Sequence, residues 1–300
     1  MNGIWESTIY ELIRRTSFDL PSDIEQALAK AALGSEKKGS NARRAIEVML
    51  DNAAMARRKQ HPLCQDTGTL LFYVTSPPGF DETNFRRTVE AAVVKATADG
   101  LLRQNAVDPV TGKNSGNNLG AGSPVLHFLQ EERENIHVSL ILKGGGCENV
   151  GRQYALPCAE LAADRDLEGV RKCLLDVVYR AQGTGCAPGI LGVCIGGDRA
   201  SGYAESKKQF LRRIGERSAT PELAALERRI LREANELGIG PMGFGGQTTL
   251  FDIFIGSLHR VPASYFVSVS YMCWAYRRHG LKAAADGNIE AWDFPEYNKN

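Results

Sequence analysis

Four glycine-rich or polar turns, each beside a short apolar run, constrain how this chain of 300 residues can fold. The apolar runs have the length of β-strands, and the turns place small side chains and open backbone at the strand ends, where a ligand can approach closely. These turns are residues 61–69, 143–149, 183–189 and 238–249. Longer amphipathic segments separate them, which predicts helices between the strands.

Hydrophobic periodicity predicts a helical N-terminal part within residues 1–60, with helices over 4–15, 21–33 and 40–59. Further helices are predicted over 81–100, 166–182, 198–213 and 221–236. Strands are predicted over 70–75, 125–129, 136–142, 190–197, 250–255 and 265–271. Successive strands at 125–142 and 250–271 indicate two hairpins. Because helices and strands mix without regular βαβ alternation, we predict an α+β fold: an N-terminal helical layer packed on a mixed or antiparallel sheet with further helices. A single domain over 1–300 is expected, since no internal repeat or linker is visible.

Charge and hydropathy exclude several classes of protein. The net charge is +1, so no nucleic-acid partner is expected. No apolar run approaches the roughly 20 residues of a membrane span, so no membrane association is expected either. The first residues have neither the basic nor the apolar region of a secretory signal, which predicts a cytoplasmic location, where disulfides are rare.

Three of the seven cysteines share a local pattern. Cys64, Cys186 and Cys273 each occupy a turn beside a strand, far apart in sequence and outside any C-x-x-C pair. That spacing excludes a local zinc finger, whereas thiolates from distant turns suit an iron–sulfur cluster with one iron left open as a Lewis acid. Three buried thiols are the alternative. Cys194 lies inside an apolar run and is predicted to be a core residue.

Six motifs occur in a fixed order along the chain. They are Cys64-Gln-Asp-Thr-Gly, Leu102-Arg-Gln-Asn-Ala-Val-Asp-Pro, Lys143-Gly-Gly-Gly-Cys, Gly185-Cys-Ala-Pro, Gly238-Ile-Gly-Pro-Met-Gly and Cys273-Trp-Ala-Tyr-Arg-Arg. Together they resemble the class I, iron–sulfur-dependent fumarase family. More narrowly, the chain is similar to the α subunit of its two-subunit members, which include fumarate hydratase and L(+)-tartrate dehydratase. The resemblance covers about residues 5–280.

The resemblance implies an oxygen-sensitive [4Fe–4S] cluster held by Cys64, Cys186 and Cys273. It also implies a hydro-lyase reaction, the reversible hydration of fumarate to malate at the open iron, which is a step of the tricarboxylic acid cycle. Asp66 matches a position that suits proton transfer, and His259 matches a histidine near the family's site; both are predicted catalytic residues. The alternative for His259 is a partly buried histidine that forms its hydrogen bonds within the fold and takes no part in catalysis.

Substrate-binding roles are implied for seven residues: Gln65, Asp66, Arg103, Lys113, Asn117, Gly145 and Gly146. Arg103 is expected to bind a carboxylate bidentately, because a guanidinium matches that geometry. The two glycines are expected to offer backbone N–H groups to the same C4 dicarboxylate.

Partners follow from what the chain lacks relative to the family. Single-chain members carry a second domain that completes the pocket, so we expect a separate β subunit here and an α2β2 heteromer. Cys147 stands where other members can have serine and is expected near the cluster without binding it. An L(+)-tartrate dehydratase α subunit giving oxaloacetate is the main alternative, with mesaconate and related diacids as further substrates. A non-catalytic iron–sulfur-binding protein and a metal-free module for small acids are the alternatives from other classes.

Overall fold

The structure is a computed structural model of the chain and describes residues 3–294. The helices are α1 (Gly3–Phe18), α2 (Ser22–Lys30), α3 (Asn41–Lys59), α4 (Glu82–Ala98), α5 (Gly145–Asn149), α6 (Leu167–Ala181), α7 (Arg199–Lys208) and α8 (Pro221–Glu236). The strands are β1 (Thr69–Ser76), β2 (Val125–Gln130), β3 (Ile136–Lys143), β4 (Arg152–Ala155), β5 (Gly189–Gly196), β6 (Leu250–Leu258), β7 (Phe266–Met272), β8 (Arg278–Ala283) and β9 (Ile289–Trp292). The mixture of helices and strands confirms the α+β class.

Several helices begin where their sequence provides a cap. Asp81 precedes α4 and accepts a hydrogen bond from the backbone N–H of Asn84. Asp198 precedes α7 and forms a capping box with Ser201. Such side chains satisfy N–H groups that a helix start leaves without partners, so the starts are encoded locally.

The chain forms two compact units, each with its own sheet. Within the described residues, unit 1 consists of 3–25, 51–145 and 275–294, and unit 2 consists of 26–50 and 146–274. Helix α3 therefore contributes its first half to unit 2 and its second half to unit 1.

Unit 1 has a five-stranded sheet in the order β2-β1-β3-β8-β9. Helices α1 and α4 pack together, and α1 also packs on β3 and β8. Trp5 of α1 and Phe85 of α4 meet edge to face, with ring centroids 5.2 Å apart. The N-terminal helical layer is thus not a self-contained bundle, because the apolar face of α1 is buried against later elements.

Unit 2 has a four-stranded sheet in the order β4-β7-β5-β6. Its central strand β5 is buried along its whole length. One face of β5 packs in the main apolar core of unit 2 with α6 and α8, through Leu191, Val193 and Ile195. On the opposite face, Gly192 lies close to the backbone of Ser206 in α7. Cys194 is fully buried, which raises the pKa of its thiol to about 12 and confirms it as a core residue.

The two predicted hairpins are wrong, and both fail in the same way. Strand β1 lies between β2 and β3, parallel to the first and antiparallel to the second. Strand β5 likewise lies between β6 and β7, again parallel to the first and antiparallel to the second. Two strands that flank a third strand are about 10 Å apart, and a short loop spans that distance as readily as it joins two neighbouring strands. The sheets therefore repeat one topology that the sequence does not reveal.

Candidate active site

The repeated topology brings two turns together at one end of each sheet. In unit 1, Thr69 at the start of β1 pairs with Lys143 at the end of β3. In unit 2, Ile190 near the start of β5 pairs with Met272 at the end of β7. Within unit 1 the segment before β1 therefore meets the segment after β3, and within unit 2 the segment before β5 meets the segment after β7. These four segments carry the three predicted cysteine ligands together with Gln65, Asp66, Gly145 and Gly146.

In unit 1 the segment before β1 is the Cys64 turn, residues 61–69. Leu63 anchors it: the side chain is buried, its N–H donates to the Ser17 carbonyl at 3.0 Å, and its carbonyl accepts from Asn52 Nδ2 at 3.0 Å. Cys64 is half-buried and Gln65 is exposed. The anchoring keeps these polar side chains at the surface of a fixed turn.

Asp66 is the best-connected member of the Cys64 turn. Its Oδ2 accepts a hydrogen bond from the Gly145 N–H at 2.6 Å, and its Oδ1 accepts one from Asn105 Nδ2 at 3.3 Å. Its backbone carbonyl accepts from Arg277 Nη2 at 2.7 Å. The structure thus joins two predicted site residues, Asp66 and Gly145, and adds Asn105 and Arg277, which sequence reasoning missed although each lies in one of the six motifs.

Gly68 lets the Cys64 turn reach the end of β3. Its φ is +76°, a conformation that disfavours a side chain, and a Cβ there would lie 2.3 Å from the Lys143 carbonyl oxygen. Only glycine permits this approach. The contact between Asp66 and Gly145 therefore depends on a residue without a side chain two positions away.

A cleft of about 880 Å³ opens beside Asp66. It is lined by Asp66 and Gly145 together with much of residues 105–123, which belong to the polar loop between α4 and β2. Lys113 is exposed and belongs to this lining. Arg103 is exposed but outside the lining; its backbone carbonyl accepts from Asn118 Nδ2 at 2.9 Å. The cleft is far larger than a C4 diacid of about eight non-hydrogen atoms needs.

Of two adjacent asparagines, Asn118 lines this cleft and the predicted Asn117 does not. Asn117 is half-buried and accepts a hydrogen bond from the Leu119 N–H at 3.0 Å, as in a local turn. Asn118 is 1% exposed with φ +63°, and its side chain also bonds Thr97 Oγ1 at 3.0 Å and the Asn105 N–H at 2.6 Å. Two adjacent asparagines are indistinguishable by composition, so no sequence signal separated them.

The three glycines after β3 begin a helix instead of forming an open nest. None of Gly144, Gly145 and Gly146 has a positive φ, and α5 starts at Gly145. The Gly145 N–H already donates to Asp66. Gly146 lines a smaller cleft of about 330 Å³ in unit 2, together with Arg152 and Arg180.

In unit 2 the cysteine pair Cys186 and Cys273 occupies the corresponding sheet end. Cys186 lies three residues before β5 and Cys273 directly follows β7. The Trp274 N–H donates to the Cys186 carbonyl at 3.3 Å, and the Cys186 N–H donates to the Gly183 carbonyl at 3.0 Å. Cys186 has φ +55°, a strained value that costs a non-glycine residue about 1 kcal/mol. These two predicted ligands are thus brought together.

A third thiol shares the surroundings of that pair. Tyr271, at 1% exposure, lies close to Gly185 and Gly189, where a Cβ would come within 2.6 and 2.2 Å of its ring. Burial raises the pKa of Tyr271 well above its ordinary value, and the nearby thiols of Cys273, Cys147 and Cys186 add to the shift. Cys147 thus shares Tyr271 as a neighbour with the pair, and its place beside a cluster stays a prediction.

The glycine-rich turn 238–249 supports the Cys186 side of this sheet end. The Met242 N–H donates to the Ala187 carbonyl at 2.9 Å. Glu36, 5% exposed, holds the turn from outside by accepting the N–H groups of Gln247 and Thr248 at 3.0 and 2.7 Å. Glu36 is remote in sequence and lies in no motif, so sequence reasoning could not find this contact.

His259 lies away from the cysteine pair. It is exposed and follows the last residue of β6, whose end pairs with the end of β5. Cys186 instead precedes the start of β5, and eight residues at about 3.3 Å each put roughly 25 Å between the two ends of that strand. Within unit 2 the structure therefore does not bring His259 to Cys186 and Cys273.

Within residues 3–294, no group of three or more His, Cys, Asp or Glu side chains is close enough to hold a metal ion. Cys64 belongs to unit 1 and the cysteine pair to unit 2, so a three-thiol group stays a prediction. The chemistry of the donors fits an iron–sulfur cluster, since two thiols sit on adjacent turns at one sheet end. In the same range no helix is long and apolar enough to cross a membrane, and the cytoplasmic location stays a prediction.

The chain is similar in sequence to known proteins over nearly its whole length. The family model described as "Fumarate hydratase (Fumerase)" matches residues 6–282. The chain belongs to this family. The fumarate hydratase family thus accounts for the six motifs, and the resemblance drawn from them is confirmed.

Three relatives illustrate the range of the fumarate hydratase family. A protein of Geobacillus stearothermophilus named "Putative fumarate hydratase class I" is 47% identical over 97% of this chain, which spans 57% of that protein. A Methanocaldococcus jannaschii protein named "Putative L(+)-tartrate dehydratase subunit alpha" is 32% identical over 94% of the chain and 98% of its own length. The "L(+)-tartrate dehydratase subunit alpha" of Escherichia coli (strain K12) is 32% identical over 90% of the chain and 88% of its own length.

Proposed function

We propose that this chain is the α subunit of an iron–sulfur hydro-lyase that interconverts fumarate and malate. The observation that carries the proposal is the placement of Cys186 and Cys273 together at one sheet end, in a chain of the fumarate hydratase family. The Asp66 and Gly145 contact at the corresponding end of the unit 1 sheet supports it.

Cys64, Cys186 and Cys273 would be the residues that hold a [4Fe–4S] cluster. When bound, the cluster supplies a Lewis acid that makes hydroxide a better leaving group than it is in water. Backbone hydrogen bonds order the Cys64 turn and also the sheet end that carries Cys186 and Cys273. This order supports the ligand set, because a rigid site lowers the entropy lost on binding.

Asp66 is proposed to move the proton that the reaction adds or removes. Its Oδ2 is held by the Gly145 N–H at 2.6 Å, whereas its Oδ1 has the longer 3.3 Å bond to Asn105. Oδ1 is therefore the atom we assign to proton transfer, since a weaker hydrogen bond leaves it more available. The half-exposed position beside the large cleft gives it access to a substrate.

Substrate carboxylates are proposed to bind at Arg103, Lys113 and Gln65, all exposed on unit 1. Arg103 supplies a bidentate donor and Lys113 a point charge, so together they suit a dianion. Asn117 and the Gly145–Gly146 backbone have weaker support, because the Asn117 and Gly145 groups already hydrogen-bond within the protein. His259 is not assigned to this site, given its place at the far end of the unit 2 sheet.

We further propose that a β subunit completes the enzyme as an α2β2 assembly. Two relatives bear the name subunit alpha, and the Geobacillus protein is considerably longer than this chain. The 880 Å³ cleft beside Asp66 leaves ample room for groups that a partner chain would supply.

The experiment is anaerobic reconstitution with iron and sulfide, followed by iron analysis and visible spectroscopy. We expect about four irons per chain and charge-transfer absorption. Cys186→Ala should lose both, whereas Cys194→Ala, a matched change of a core thiol, should retain both. Unchanged iron content in Cys186→Ala would refute the ligand assignment. Wild-type protein without iron would favour a metal-free module for small acids.

L(+)-tartrate dehydratase is the second candidate, because the chain matches those α subunits over nearly their full length. The higher identity to the Geobacillus protein favours fumarate. Turnover of malate, tartrate and mesaconate by the complete enzyme separates them. Cluster content without turnover of any of these diacids would instead indicate a non-catalytic iron–sulfur protein.

A further inference from the structure

Two neighbouring arginines of unit 1 are almost fully buried, but their guanidinium groups contact different kinds of neighbour. Arg277 is 1% exposed and Arg278 is 2% exposed. Burying a guanidinium is strongly unfavourable unless other groups compensate for the lost water. The surroundings of each side chain therefore show what it is retained for.

Arg278 is compensated by the fold. Its Nη2 donates to Asp23 Oδ2 at 2.6 Å, and the guanidinium lies 4.2 Å from the Tyr276 ring centroid and 4.5 Å from that of Phe294. An ion pair and two aromatic faces suit a structural arginine.

Arg277 lacks such compensation. Among the described residues its guanidinium has no carboxylate partner and no aromatic face, and it makes a single hydrogen bond, from Nη2 to the Asp66 carbonyl at 2.7 Å. A buried guanidinium without an ion pair contributes little to the stability of a fold, so its burial needs an explanation. Its one partner is a residue of the proposed site.

The location of Arg277 agrees with that partner. Its carbonyl accepts from the Leu142 N–H at 3.0 Å, which places it at the site end of the unit 1 sheet. A Cβ on Gly144 would lie 3.1 Å from Asp66 Oδ2 and 3.8 Å from Arg277 Nη2, so the carboxylate and the guanidinium meet around the same glycine.

We propose that Arg277 is a positioning residue for the hydration reaction: it holds the backbone of Asp66 so that the carboxylate stays aligned. This rests on the proposed function. Gly145 and Asn105 donate to the carboxylate of Asp66, and Arg277 donates to the backbone carbonyl of the same residue. Without that bond the backbone at Asp66 can rotate and misdirect Oδ1.

The test compares Arg277→Met, Arg277→Lys and the matched control Arg278→Met in the complete, cluster-loaded enzyme. Arg277→Met should melt within about 3 °C of wild type, because an apolar residue of similar volume often replaces a buried charge without loss of stability. Its kcat for fumarate should fall about 10–100-fold with KM within about 3-fold, the size seen when supporting groups are removed. Arg277→Lys, which keeps one donor, should recover part of kcat. Arg278→Met should melt more than about 4 °C lower, with kcat of the folded fraction within about 2-fold of wild type.

Hydrogen exchange of the chain without cluster gives a readout that does not depend on activity. Arg277→Met should speed exchange of the peptide 64–69, and Arg278→Met should not. The proposal is overturned if Arg277→Met retains wild-type kcat, or if exchange in that peptide is unchanged. Should wild-type enzyme fail to hydrate fumarate, the proposed function fails, while the exchange result still decides whether Arg277 orders the Asp66 backbone.

Discussion

Replacing Gly68 with alanine tests whether the close approach between the Cys64 turn and β3 supports the site. The new Cβ would lie 2.3 Å from the Lys143 carbonyl oxygen and 2.6 Å from the Gly144 N, where about 3.4 Å is an ordinary contact. The turn and the strand end must therefore separate by about 1 Å. That shift breaks the 2.6 Å bond between Gly145 and Asp66.

The magnitude follows from these two effects. Alanine in a left-handed conformation costs about 1–2 kcal/mol, and losing a hydrogen bond to a carboxylate costs about 1.5–3 kcal/mol. Gly68→Ala should therefore lower the free energy of unfolding by about 2.5–5 kcal/mol, measured by urea denaturation. Gly79→Ala is the matched control, because Gly79 has φ +81° with nothing within 4 Å of its Cβ position. It should lose only about 1–2 kcal/mol.

The difference between the two variants isolates the close approach from the backbone conformation. An equal decrease in the free energy of unfolding for Gly68→Ala and Gly79→Ala would refute the reasoning, because both variants place alanine in a left-handed conformation and only Gly68→Ala adds the close contact. The proposed hydratase activity should also fall at least about 10-fold in the folded fraction of Gly68→Ala, because the Asp66 carboxylate loses its fixed position.

Three further predictions concern groups away from the cysteines. Glu36→Ala should lower the free energy of unfolding by about 2–4 kcal/mol by releasing two N–H groups, while Glu36→Gln, which keeps an acceptor oxygen, should lose about 1 kcal/mol or less in urea denaturation. Burial, aided by the nearby Arg15, lowers the pKa of His279 to about 3. In the unfolded chain the pKa of His279 is about 6.5, so between pH ~6.5 and pH ~3 the unfolded chain binds more protons than the folded chain. The contribution of neutral His279 to the free energy of unfolding is therefore fully present above pH ~6.5, and the free energy of unfolding should fall by about 2 kcal/mol between pH 7 and pH 5. His279→Gln should remove that part of the slope, and an unchanged slope would exclude His279 as its source. Asn118→Ala should cost about 2–4 kcal/mol through lost hydrogen bonds and the left-handed backbone, and an unfolding midpoint equal to wild type would contradict the role assigned to Asn118 in the cleft.

The candidate site was predictable where the chemistry lies within one short segment. Asp66 was selected because the motif Cys64-Gln-Asp-Thr-Gly resembles that of the family, and all of that motif lies in one turn before an apolar run. Arg277 could not, since its role depends on a carbonyl 211 positions away in the chain. His259 was selected only from the resemblance to the family, and the strand pairing places it at the end of the unit 2 sheet opposite to Cys186 and Cys273.

By itself the sequence determined the kind and approximate position of nearly every predicted helix and strand, because hydrophobic period and caps such as Asp81 act within a few residues. It also determined family membership, through six ordered motifs. Only the tertiary structure decided strand order, because a five-residue loop at 131–135 serves a hairpin or a pair flanking β1 equally well. The same holds for Glu36 and Arg277, whose partners are distant in sequence and become neighbours only when the sheets form.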